Sequence, residues 1–173
     1  MPDSTLSTAL KEAYASAPAG VILHTLELRH PSFSAPIRVV RDNASLSAKL
    51  EATAPVDAST YVTFVAMAFD FTKPEISPTG IPQISIEIDN VDRAIVANIE
   101  AAMTTAQMVQ CTYREYLSTD LTAPQNNPPL SMTIMNISAD VFKVHATAGF
   151  PNLLNKRFPN TEYDPAVFTG LIV

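Results

Sequence analysis

The stretch IPQISIEIDNVDRAIVANIEAAM, residues 81–103, changes the spacing of its apolar residues halfway along. Ile84, Ile86 and Ile88 alternate with Ser85, Glu87 and Asp89, the period of a half-buried strand. From Val91 the spacing lengthens, and Val91, Ile95, Ile99 and Met103 fall on one helical stripe. Asn90 suits a helix N-cap, and Asp92 sits where the positive end of a helix dipole favours a carboxylate. The join therefore predicts a strand running straight into a central helix at about 90–105.

Strand patterns lie on both sides of it. VILHTLELRH sets Ile22, Leu26 and Leu28 against Thr25, Glu27 and Arg29, and IRVVRD follows after the turn PSFSAP, so 21–42 reads as an antiparallel hairpin. Residues 43–60 are small and polar, with weak structure expected. YVTFVAMAFDF at 61–71 is apolar on both faces, as a strand covered on two sides would be. TKPEISPTGIP is a stiff, proline-rich connection. MVQCTYREYL, SMTIMNI and DVFKVHATAGF read as three more strands.

At the N-terminus, Leu6, Leu10 and Tyr14 fall four apart on one face of a short helix over 4–16, with Ser4 or Thr5 as cap. So short a helix is marginal alone and must dock on its own core or on a neighbour. The last residues, 151–173, carry Phe158, Tyr163 and Phe168 between prolines and read as an extended strap. The expectation is α+β: one domain over 1–173, with a helical arm over 1–18, a mainly antiparallel β-sandwich or barrel over 19–150 and a strap over 151–173.

Composition narrows the function classes. Charged residues are 16% of the chain against 47% hydrophobic, well under the roughly 25% charged usual for soluble domains. Either a partner covers some surface, or the chain is a compact monomer with an uncharged polar surface. A net charge of −6 with scattered basic residues argues against sequence-specific nucleic-acid binding, which needs a basic stripe. No apolar run is long enough to insert in a membrane. The N-terminus lacks the basic and apolar regions of a secretory signal, so residence in a cytoplasm is expected, at least until assembly.

Catalytic patterns are weak. Asp70, Glu75, Glu87, Asp89 and Asp92 invite an acid–base reading, but Glu87 and Asp89 share a face expected to be wet. His24, His30 and His145 fit no metal spacing. The lone Cys111 reads as a small buried strand residue. With four glycines, no nucleotide-binding loop can be assembled. No enzyme activity, cofactor or metal is expected.

Five segments together resemble a family of small proteins encoded in the tail modules of long-tailed bacteriophages, known as a domain of unknown function. They are LKEAYASAP, LHTLELRHPSFSAPIRVVRD, ISIEIDNVDRAI, VQCTYREYL and LLNKRFPNTEYDPAVFTGL, in that order. Thr169 departs from the proline expected there, and 43–60 lacks the expected aromatics. The resemblance implies a structural component of a tail tip or baseplate, tube- or hub-like in fold, forming part of a ring around the tail axis. It implies a homo-oligomer, trimer or hexamer, with other tail-tip proteins as partners, located in the virion tail after assembly in the host cytoplasm. A monomeric binding or assembly adaptor is the alternative. A ring needs two different patches in contact, and the candidates are Leu6, Leu10 and Tyr14 of the arm with Phe158, Tyr163 and Phe168 of the strap.

Overall fold

The computed structural model describes residues 6–15, 20–72, 83–89, 97–98, 101–102, 105, 107–139 and 143–150. Within them the chain forms one short helix, α1 (Thr8–Ala15), and the strands β1 (Ile22–Arg29), β2 (Ile37–Val40), β3 (Leu46–Lys49), β4 (Tyr61–Ala66), β5 (Phe69–Phe71), β6 (Gln83–Asp89), β7 (Gln110–Leu117), β8 (Leu130–Ala139) and β9 (Lys143–Gly149). All nine strands join one sheet in the order β3-β4-β2-β1-β7-β8-β9-β6-β5.

The hairpin of β1 and β2 pairs as its alternation requires, with Leu26 opposite Val39 and Glu27 opposite Arg38. β1 then pairs antiparallel with β7 along its whole length, Leu26 opposite Tyr113 and Leu28 opposite Cys111. The pairing of β2 with β4 is parallel, which makes the sheet mixed.

The segment 61–71 is not the strand covered on both sides that its apolar pattern predicts, because Tyr61 and Val65 are exposed while Val62 and Phe64 are buried. It is two strands, β4 and β5, separated by Met67 and Ala68, and they sit near opposite ends of the strand order. Met67 N–H donates to Val40 on one side of the break, and Asp89 N–H donates to Ala68 on the other, at 3.0 Å each. A single run of chain therefore ties both ends of the sheet together, and the sheet curls on itself. Phe71 of β5 stacks on Tyr113 of β7 with ring centroids 4.2 Å apart, across the inside of the curl.

This corrects the expected α+β architecture with a central helix. The fold is one curled, mixed, nine-stranded sheet rather than a sandwich of two sheets flanked by that helix. The physical reason is that the curl lets the sheet cover its own apolar face, with Leu26, Leu28, Cys111, Met132, Ile84, Ile86, Ile88 and Val144 meeting in one cluster. Of 90–105, Ala97, Asn98, Ala101 and Ala102 are helical, and Ala102 joins that cluster. The stripe Val91, Ile95, Ile99 and Met103 lies outside the described residues, as does the strap 151–173.

Residues 43–60 hold more structure than their composition predicts. β3 lies there, and Leu50 and Ala54 pack with Leu23, Val40, Val62, Phe64 and Tyr116 in a second cluster on the outer side of the sheet. Asp57 and Ser59 adopt left-handed φ values of 56° and 58° to make the loop's turn.

Candidate functional site

The central pair β1–β7 carries the chemistry. Odd-numbered β1 residues and even-numbered β7 residues face outward, so Thr25, Glu27 and Arg29 share a side with Thr112, Arg114 and Tyr116. The sequence predicts that Thr25, Glu27 and Arg29 meet solvent. The structure corrects this: Thr25, Glu27 and Arg114 have no exposed surface and Thr112 has 2%. From the 50–60 segment, Glu51 reaches Arg114 and Asp57 reaches Arg38.

Burying charge is costly unless each group is paired, and here each is. Arg114 donates to both oxygens of Glu51, Nε at 2.7 Å and Nη2 at 2.8 Å. Glu27 sits among guanidinium groups, with Arg38 Nε at 2.8 Å, Arg29 Nε at 3.0 Å and Arg114 Nη1 at 3.6 Å. Arg38 also donates to Asp57 at 2.8 Å. The three arginines balance Glu27, Glu51 and Asp57, so the cluster is neutral as a whole. Burial pushes the Glu51 carboxyl up, but the Arg114 hydrogen bond, a backbone N–H and the arginine charges together hold it below its ordinary value. Burial favours loss of the Arg114 proton, yet the Glu51 hydrogen bond and the carboxylate charges outweigh it and raise the pKa further. Both groups stay charged, and the loop is clamped to the sheet.

The inner side of the same strands holds a second polar group beneath α1. Glu115 is 1% exposed. It accepts from the Tyr113 hydroxyl at 2.6 Å and from the Tyr14 hydroxyl at 3.1 Å, both on Oε1. The Tyr113 phenol also meets His24 Nδ1 at 2.6 Å. Because its own proton goes to Glu115, His24 Nδ1 is the donor there, which orders the chain His24 to Tyr113 to Glu115. Burial, then the Glu115 hydrogen bond, raise the Tyr113 pKa, so the phenol keeps its proton. A cleft of about 300 Å³ adjoins this group, lined by Tyr14, His24, Arg41, Phe69, Phe71 and Tyr113.

α1 closes over that chain. Ser7, rather than Ser4 or Thr5, caps the described helix, its hydroxyl accepting from Leu10 N–H at 3.1 Å. Ser7 N–H donates to Gln125, Leu6 bridges to Asn126, and Leu10 is fully buried. Of the candidate interface residues, Leu10 is thus taken up by the chain's own body, and Tyr14, half exposed, is bonded to Glu115. Phe158, Tyr163 and Phe168 lie outside the described residues.

The histidines stay apart. His30 bonds Ser32 and the Gln107 carbonyl, while His145 pairs with Glu87 at 3.4 Å. Among the described residues no group of His, Cys, Asp or Glu could hold a metal ion. Asp70 faces Arg41 at 3.6 Å on the surface, and Glu75 and Asp92 lie outside the described residues. Cys111 is buried, and burial pushes its thiol up to about 12, which leaves it unreactive at neutral pH.

The buried ionic cluster is what sequence reasoning missed. Its one signal is that each central strand carries charge on the same outward parity: Glu27 and Arg29 in LELR, Arg38 in IRVV and Arg114 in YREY. No curated protein matches the chain in sequence. The family described as Domain of unknown function (DUF1833) matches residues 9–163, from within α1 to beyond β9. That match takes in both buried polar groups and every strand of the sheet, and the chain belongs to the DUF1833 family.

Proposed function

We propose that this chain is a structural component of a bacteriophage tail tip or baseplate, one subunit of a ring around the tail axis. The reading assigns it no catalysis and no cofactor. It rests on the five-segment resemblance, and one structural observation carries it further. Large apolar side chains stand exposed at two separate places on the sheet. Tyr61 and Val65 on β4 are 60% and 52% exposed, and Met108 and Met135, before β7 and within β8, are 62% and 45% exposed. Exposed apolar side chains grouped in this way offer contact points, and a ring needs two unlike contact surfaces on each subunit. The register shift of β8 between Ile134 and Asn136 brackets Met135, a bulge of the kind that re-aims a side chain.

The seating of α1 favours a second reading. With Leu10 buried in its own body, the monomer satisfies its arm without a neighbour, as an assembly adaptor would. Two measurements separate the readings. Mass spectrometry of purified tails should find the chain in fixed ratio to other tail proteins, whereas an adaptor would be absent from finished tails. Tyr61→Asp with Val65→Asp, both at exposed positions, should leave the isolated chain folded yet abolish incorporation. Normal tails from that variant would remove β4 from the interface.

A further inference from the structure

We infer that the charged side of the β1–β7 pair encloses a one-molecule binding site for a neutral hydrogen-bonding ligand, a water molecule. Glu27 Oε1, Arg29 Nε, Thr112 Oγ1 and Arg114 Nη1 are all buried without a hydrogen bond, although native proteins leave few such atoms unsatisfied. The strand register brings the four side chains to one stretch of the sheet. Thr112 stands directly across from Glu27 in the strand register, and such partners hold their Cβ atoms about 4.5–5.5 Å apart. Arg29 and Arg114 are the next residues on the same side of β1 and β7. Arg29 Nε lies 3.0 Å from Glu27 Oε1, yet the pair is too poorly aligned for a hydrogen bond, so its N–H aims elsewhere.

One water can meet all four atoms, although the Thr112 hydroxyl hydrogen and the second hydrogen of Arg114 Nη1 are then left over. The water's two lone pairs accept from the Arg29 and Arg114 N–H groups, and its two hydrogens go to Glu27 Oε1 and Thr112 Oγ1. Buried waters with two to four polar partners are a regular part of protein interiors. An ion fits worse. A cation would face two guanidinium groups, and an anion would face the Glu27 carboxylate, while the surrounding cluster is already neutral. Thr112 is therefore a ligand residue of this site, and its hydroxyl has no other bond that uses it.

A high-resolution crystal structure of the full chain tests this, with water–protein cross-relaxation measured by NMR as the solution counterpart. The expected result is one ordered solvent peak within hydrogen-bond distance of all four atoms, with long-lived water signals at the Arg29 and Arg114 side-chain protons. Thr112→Val should lose or weaken both signals, and Thr112→Ser should keep them, so a poorly folding valine variant still leaves the serine variant and the parent to decide. Direct bonding among the four side chains with no solvent between them overturns the inference. An anomalous peak at this position in bromide-soaked crystals overturns it too, because the ligand would then be an anion.

Discussion

β1 and β7 bury both of their sides, and around Leu26–Leu28 and Cys111–Arg114 the two sides are built from different chemistry. Inward, Leu26, Leu28 and Cys111 join an apolar cluster shared by most strands of the sheet. Outward, Glu27, Arg38 and Arg114 are buried just as completely, or nearly so, under a loop that contributes Glu51 and Asp57. The apolar side gains stability from area removed from water and tolerates small errors of angle. The charged side gains little net stability, because desolvation offsets attraction, but it fails badly when one member is removed. The first holds the sheet together, and the second fixes where the 50–60 loop lies.

The largest effect should come from breaking the charged side. Arg114→Met leaves Glu27 and Glu51 buried with less compensation, and removal of one partner from a buried pair costs about 3–5 kcal/mol. Urea unfolding should report it as a lower midpoint with an unchanged slope. A loss under about 1 kcal/mol, the range of exposed pairs, would mean that water reaches Glu51 easily and the loop is not clamped.

Leu26→Ala probes the apolar side at a fully buried position. A cavity there should cost about 2–5 kcal/mol. Cys111, the chain's one cysteine, packs in the same cluster and gives the readout. Thiol labelling at neutral pH should be very slow in the parent chain and faster in Leu26→Ala, in step with the lost stability. Equal labelling rates in the two would place the opening that exposes Cys111 outside this cluster.

Acid separates the two sides more gently. The folded Glu51 pKa lies below its ordinary value of 4.5, held there by Arg114 against the opposing effect of burial. The unfolded chain therefore binds the proton more readily. The contribution is fully present above about pH 4.5 and drains away as pH falls toward the folded value. Leu26→Ala should lower the whole stability–pH curve in parallel, whereas Arg114→Met should flatten its acid limb. Parallel curves for both variants would dissociate Glu51 from the acid sensitivity.

These contrasts also measure what the sequence made legible. Alternation in ISIEID and in the 21–42 hairpin gave the strands and their inward residues, since period two follows directly from strand geometry. Alternation says nothing about what covers the other side. Glu27 reads as wet in LELR because its cover, Glu51 and Asp57, lies in a segment whose composition suggests little structure. The run at 61–71 predicts burial on both sides, whereas Tyr61 and Val65 stand exposed and its halves serve opposite ends of one sheet. That closure rests on hydrogen bonds at Met67 and Ala68, which leave no mark on side-chain pattern.

The smallest expected effect concerns the turn that carries Asp57. Asp57 and Ser59 hold φ near +57° without being glycine, a conformation in which Cβ crowds the backbone and which glycine adopts freely. Ser59 makes no side-chain hydrogen bond that would be lost, while its N–H reaches Glu51 at 3.3 Å and that bond survives substitution. Ser59→Gly should therefore relieve strain and raise stability by about 0.5–1 kcal/mol, less the entropy that glycine adds to the unfolded chain. Asp57→Gly relieves the same strain but deletes the 2.8 Å contact to Arg38, so its effect should be near zero or negative. If the two variants behave alike, the Asp57–Arg38 pair contributes nothing, and the clamp on the loop reduces to Glu51 and Arg114 alone.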